Sequence, residues 1–215
     1  MFRKILILFL AGCIVAACRI GFTPSEREII SRSDSVMYVT TIWADSAVLR
    51  TPSLDLSPSE LKSPEFQVLV SKMMTTVLSP EQDGVGIAAP QVGINRRLAI
   101  VWREDKSGQP FEVYANVRID SLWGEMTHGP EGCLSVPPYR GLVPRYPNVI
   151  VSYTDTSTLL CRRDTVRGYS AIIFQHECDH LDGRLYIDRA DTVFYNDAWA
   201  REREQFDYSR PSWMK

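Results

Sequence analysis

The chain has 215 residues, of which 45% are hydrophobic and 23% charged, an ordinary composition with ample material for a real core. Its formal net charge is −2, from 24 basic and 26 acidic side chains, so nothing in the balance predicts a nucleic-acid partner, which would need a basic face. The five cysteines show neither a CxxC pair nor a small-domain disulfide ladder.

In chain order, residues 1–17 read as a lipoprotein-type signal peptide. Arg3 and Lys4 give a short positive region, Ile5–Val15 an apolar run, and small residues precede Cys18. The run is too short to span a ~30 Å hydrocarbon core comfortably. Leu10-Ala11-Gly12-Cys13 matches a cleavage box letter for letter, but cutting there leaves only Ile5–Leu10, below the usual ~7 apolar residues. Val15-Ala16-Ala17-Cys18 is therefore the expected box, with lipid on Cys18 and attachment to a membrane after export. The alternatives are an uncleaved anchor, or a mistaken start codon upstream of a cytoplasmic protein.

Residues 18–40 read as a tether, in which Ser25–Arg32 could form a loosely packed helix. The catalytic body is expected over 41–215. Ser63-Pro64-Glu65 starts a helix, since serine caps and proline is tolerated in a first turn. Phe66, Leu69, Val70, Met73, Met74 and Val77 continue it at 3–4 spacing, and Pro80 ends it. Strands are predicted at Leu98–Trp102, Phe111–Ala115, Val149–Tyr153 and Leu159–Arg163. Helices are predicted at Ser170–Leu181 and Asp191–Phe206. The fold class is α+β: short antiparallel sheets around a central helix, with a C-terminal helix.

The central helix contains His176-Glu177-Cys178-Asp179-His180, an HExxH pattern. Residues i and i+4 share a helix face, so both imidazoles can meet one metal ion, and Glu177 between them can take a proton from the attacking water. A catalytic site needs a third protein ligand. The extended metalloprotease pattern HExxHxxGxxH fits at Gly183 but has Tyr186 at its last ligand position. A thermolysin-like site would need Glu202 or Glu204, which sit in a charge-rich run that reads as a solvated face. His128, in a loop, is a third candidate. Cys133, flanked by glycine in a turn-rich stretch, is a fourth, because a thiolate ligates Zn or Fe(II) strongly.

Three segments together resemble the peptide deformylase family: Gly84-Val85-Gly86-Ile87-Ala88-Ala89-Pro90-Gln91 its GxGxAAxQ motif, Glu131-Gly132-Cys133-Leu134-Ser135 its EGCLS motif, and Gln175–His180 its QHExDH motif. The resemblance runs from about Ile42 to Arg189. It implies three antiparallel sheets around a central helix, and hydrolysis of the N-formyl group from formyl-methionyl peptides with release of formate. It implies Cys133, His176 and His180 as ligands of Fe(II), often replaced by Zn(II), Ni(II) or Co(II). It makes Glu177 the acid/base, and the Gln91 side chain and Leu134 N–H the donors to the carbonyl oxygen. The backbone around Gly86 would pair with the peptide as an extra strand, Val85, Leu134, Ile172 and Ile173 would line the methionine pocket or else serve as core, and Arg140 would stand at the substrate rim. Asp179 would orient a ligand or an arginine such as Arg145, and Cys178 would face away into the core. Two departures stand out: Asn116-Val117 replaces the usual Asn-Pro, and Pro138 follows Pro137. The export signal is the larger one, because nascent formylated chains are cytosolic. Another metalloamidase or protease on the same site, or an inert lipoprotein that binds metal or formyl peptide, remain alternatives.

Overall fold

The structure, a computed structural model, describes residues 21–197. The strand β2 (Leu98–Trp102) explains the architecture. Leu98 and Ile100 join a core with helix α4 (Pro64–Val77), while Ala99 and Val101 join a second core with helix α5 (Gly168–Leu181). A strand covered on both faces reads as a continuous apolar run, as Leu98–Val101 does.

Five strands form the larger sheet in the order β1-β2-β3-β6-β7, all antiparallel: β1 (Gly86–Ala88), β2, β3 (Phe111–Trp123), β6 (Asn148–Thr154) and β7 (Cys161–Arg167). A second sheet holds β4 (Thr127–Gly132), β5 (Tyr139–Arg145) and β8 (Thr192–Tyr195) in the order β4-β5-β8. Two sheets therefore stand, among the described residues, where the resemblance implied three. The reason is the length of β3: Phe111–Ala115 pair with β2, and residues beyond them pair with β6 after two register shifts, so one bent strand joins what would be separate sheets.

The predicted helix at Ser63–Pro64 forms as α4. Ser63 Oγ accepts from Phe66 N at 3.2 Å, and Phe66, Leu69, Met73 and Val77 are buried. The α5 prediction also holds, two residues longer at its start. Gly183 ends that region with φ +72°, where a Cβ would lie 2.7 Å from Arg50 O, so only glycine fits.

Three expectations change. The strand predicted at Leu159–Arg163 lies at Cys161–Arg167, because Asp155 Oδ1 caps the Ser157 and Thr158 amides and Leu159 takes φ +60°, extending the turn. The helix predicted from Asp191 gives way to β8: Thr-Val-Phe-Tyr is β-branched and aromatic, and it pairs with β5. The remainder of that prediction, and Glu202 and Glu204, lie outside the described residues. Third, residues 21–40 pack onto the body instead of forming a tether, and the helix expected at Ser25–Arg32 is part of them. Helix α1 (Pro24–Ser31), which the short helices α2 (Ser46–Arg50) and α3 (Pro58–Leu61) follow before α4, carries a full capping box from Thr23 and Glu26, and Phe22, Ile30 and Met37 enter the α4 core.

A buried ion group secures that segment. Arg96, 2% exposed, donates to Glu26 at 2.8 Å, to Glu60 at 2.9 Å and to Gly21 O at 3.3 Å. Arg96→Ala would strand two buried carboxylates at a cost of about 3–5 kcal/mol. The expected result is a fall in melting temperature of roughly 10 °C by calorimetry; a fall of only a degree or two would show that α1 contributes little. No helix among the described residues is long and apolar enough to cross a membrane.

Candidate metal centre

Helix α5 lies between the two sheets. Its Ala171, Phe174, Cys178 and Leu181 pack into the core with β2, β3 and β6, so His176 and His180 are turned toward the β4–β5 sheet. Cys133 follows β4 directly. His176, His180 and Cys133 offer donor atoms that all lie within 4.8 Å of one another, with Cys133 Sγ 3.2 Å from His180 Nε2. Of the candidates for a third ligand among the described residues, Cys133 is the one the fold sets beside both histidines. His128 is elsewhere, exposed and paired with Asp191. Tyr186, at the failed protease position, stacks on His176 with centroids 6.2 Å apart.

Glu131 was missed as a working residue, although it is the first letter of EGCLS. Its Oε2 lies 2.9 Å from His176 Nδ1, which fixes the ring and leaves the other nitrogen for a metal. Arg145 donates to both Glu131 oxygens, at 2.7 and 3.1 Å, and to Asp179 at 2.6 Å; Arg189 grips Asp179 with two contacts of 2.7 Å. Asp179 therefore orients Arg145, as the sequence suggested. Burial opposes ionisation of Glu131, but hydrogen bonds from His176 and Arg145 win and hold it down at about 2.

The electrostatics of the cluster fit a cation. Burial would lower His176, yet Cys133 and Glu131 pull its pKa well above the ordinary value. Burial and the charge of His176 push His180 well below it. A proton on His176 thus does in part what a metal ion would do: it places positive charge between a thiol and a carboxylate. His180 Nδ1 is buried without a partner. Two N–H groups also aim at Cys133 Sγ, Ser135 N at 3.3 Å and Gln91 Nε2 at 3.6 Å, as suits an electron-rich sulfur ligand. One thiolate and two imidazoles are a donor set for Fe(II), Zn(II), Ni(II) or Co(II) rather than Mg or Ca.

A cleft of about 940 Å³ opens onto this cluster. Its walls include Val85, Gly86, Gln91, Cys133, Leu134, Arg140, Ile172, Ile173, His176 and Glu177, while His180 lies behind, 1% exposed. The structure thus gathers the residues that the resemblance implied at this cleft or on the donor cluster beneath it, and leaves His128 at neither. Tyr169, also on the wall and half exposed, carries no sequence signal that would have marked it.

Gln91 is held by its own oxygen, which accepts from Ala88 N at 2.8 Å, so its amide nitrogen points to Cys133 and to Ser135 Oγ at 3.4 Å. Glu177 is 3% exposed, and its Oε2 is buried without a partner. Burial pushes its pKa up to about 7. Gly86 makes room for it: a Cβ there would collide with Glu177 Oε1 and lie 2.8 Å from Ile173 Cγ2. Gly86→Ala is thus expected to displace the Glu177 carboxylate and lower kcat at least tenfold with metal content unchanged. A normal kcat with raised KM would mean that Gly86 serves only peptide approach.

An α+β frame that sets an HExxH helix and a cysteine beneath an open cleft defines a metal-dependent amidase. The polypeptide deformylase profile matches residues 39–194, and the chain belongs to that family. It is 39% identical over 149 residues to the peptide deformylase of Leptospira biflexa, covering 66% of this chain and 82% of that one. Among solved structures, the class I type b peptide deformylase of Acinetobacter baumannii with Met-Ala-Ser bound superposes with a TM-score of 0.63 at 37% identity, over 72% of this chain and 98% of that one. The actinonin complex of the Synechococcus elongatus peptide deformylase gives 0.64 at 31% identity, over 84% and 93%.

Proposed function

We propose that the protein hydrolyses the N-terminal formyl group of formyl-methionyl peptides, releasing formate and a free amine, with Fe(II) as the resident metal and Zn(II), Ni(II) or Co(II) as substitutes. The observation that carries this is the buried, unpartnered Oε2 of Glu177 beside the Cys133–His176–His180 donor cluster, at the floor of an open cleft. A bound metal ion would supply Lewis acidity there. Glu177 accepts the proton of the attacking water and returns it to the leaving amine. Gln91 Nε2 and the Leu134 N–H donate to the carbonyl oxygen as its charge grows. Val85, Ile172 and Ile173 give the first side chain an apolar wall, and Arg140 marks the rim. The Met-Ala-Ser complex of the Acinetobacter relative supports a peptide ligand of this kind.

The test is formate release from formyl-Met-Ala by protein purified without oxygen and loaded with Fe(II) or Ni(II). Formate released only by the loaded protein supports the reading. Metal bound with no formate would favour an inert binding protein.

Glu177 must be ionised to act as a base, so activity falls as pH drops through its pKa. Burial, working against the positive charges of His176 and Arg145, raises that value to about 7, and a further cation beside the carboxylate would lower it. The expected acid limb of kcat/KM thus has unit slope and a midpoint no higher than about 7. A midpoint near 9 would assign it to another group.

The sequence further supports export, with lipid on Cys18 attaching the enzyme to a membrane. Its substrates would then be formyl peptides outside the cytoplasm. Residues 1–20 lie outside the described residues. Cell fractionation with palmitate labelling tests this, and soluble, unprocessed cytoplasmic protein would contradict it.

A further inference from the structure

We propose that Trp43, Tyr139 and Tyr195 form an aromatic shelf that receives the side chain of a residue downstream of the formylated one, a subsite that rests on the deformylation reading above. The three rings are 59%, 38% and 52% exposed, an unusual concentration of aromatic surface beside a cleft. They stand in a row: Trp43 to Tyr139 is 6.2 Å between centroids with planes at 35°, and Tyr139 to Tyr195 is 5.6 Å at 85°.

Their backbones are pinned to one short stretch. Ile42 N donates to Ser135 O at 3.0 Å, which seats Trp43 against the loop after Cys133. Tyr139 N donates to Val136 O at 3.1 Å, and Asn196 N to Pro138 O at 3.0 Å beside the Tyr139–Tyr195 pair. The backbones that carry the rings are therefore held together, and a ligand has only side-chain rotation to order on binding.

Continuity with the cleft identifies the occupant. Tyr139 is itself a cleft wall, next to Arg140. An extended peptide advances ~3.3 Å per residue, so with its first side chain by Ile172 its second and third residues pass the rim. A side chain with a flat apolar face suits the shelf, and one ring-on-ring contact is worth roughly a three- to tenfold gain in affinity.

The experiment measures kcat/KM of the metal-loaded protein for formyl-Met-Ala-Ala, formyl-Met-Phe-Ala and formyl-Met-Ala-Phe, in the wild type, Trp43→Ser and Tyr195→Ser. Each phenylalanine peptide is expressed as a ratio to the alanine peptide, so losses common to all substrates cancel. One of the ratios is expected to reach about five in the wild type, through KM, and to fall toward one in both variants. Ratios near one in the wild type, or equal ratios in all three proteins, overturn the shelf while leaving deformylation intact. Self-association in sedimentation that Trp43→Ser removes would give the shelf to a second copy of the chain and also overturn it. No formate from any peptide overturns the functional reading, and the subsite with it.

Discussion

Glu177→Gln is expected to lower kcat by about a hundred- to ten-thousandfold and to leave the metal in place. Glutamine keeps the shape of glutamate but cannot accept a proton. Glu177 is not among the three donors of the cluster, so metal content should be unchanged. Its position adds to the expectation: the carboxylate is buried, held clear of Gly86, and has an oxygen that no protein group occupies. Formate release with burst-free kinetics and metal analysis on one preparation measure both quantities. A kcat within tenfold of the wild type would move the proton transfer to another residue. Loss of metal would make Glu177 part of the ligand set.

Glu131→Ala is expected to damage the protein in two separable ways. It removes the carboxylate that fixes His176, which should weaken metal binding about ten- to a hundredfold. It also deprives the buried Arg145 of one of its two carboxylate partners, which should cost about 3 kcal/mol of stability in the metal-free protein. The pH dependence has a definite sign. The folded pKa of Glu131 is about 2 against an ordinary 4.5. The stability it confers is thus complete above about pH 4.5 and lost as pH falls from there toward 2. Urea unfolding at pH 6 and pH 3 should show a larger acid loss in the wild type than in Glu131→Gln. An equal loss in both proteins would place the acid-sensitive group elsewhere.

What the sequence revealed tracks how local each signal is. The Phe66–Val77 period and the i, i+4 histidine pair need only one helix, and both formed as expected. Cys133 could be assigned only through its EGCLS context, because nothing local distinguishes a ligand from a buried thiol. Strands β4 and β5 were invisible: Thr-His-Gly-Pro-Glu-Gly has poor strand composition and is strand only because β5 pairs with it. With β4 unseen, the reach of Glu131 to His176 across 45 residues could not be inferred. The same applies at the N-terminus. Residues 21–40 look polar and aperiodic alone, and their order depends on Arg96, 70 residues beyond Glu26. Tyr195 was assigned to a helix because β8 acquires its strand character from β5.

The central claim is that one metal ion on Cys133, His176 and His180 makes this chain a deformylase. Stepwise addition of Ni(II) to the metal-free protein without oxygen, with formate release from formyl-Met-Ala followed at each step, tests it most directly. The prediction is no activity at the start, a linear rise, and a break at one metal per chain, with Cys133→Ala remaining inactive throughout. Full activity before any metal is added, or saturation with metal and no formate, would contradict it.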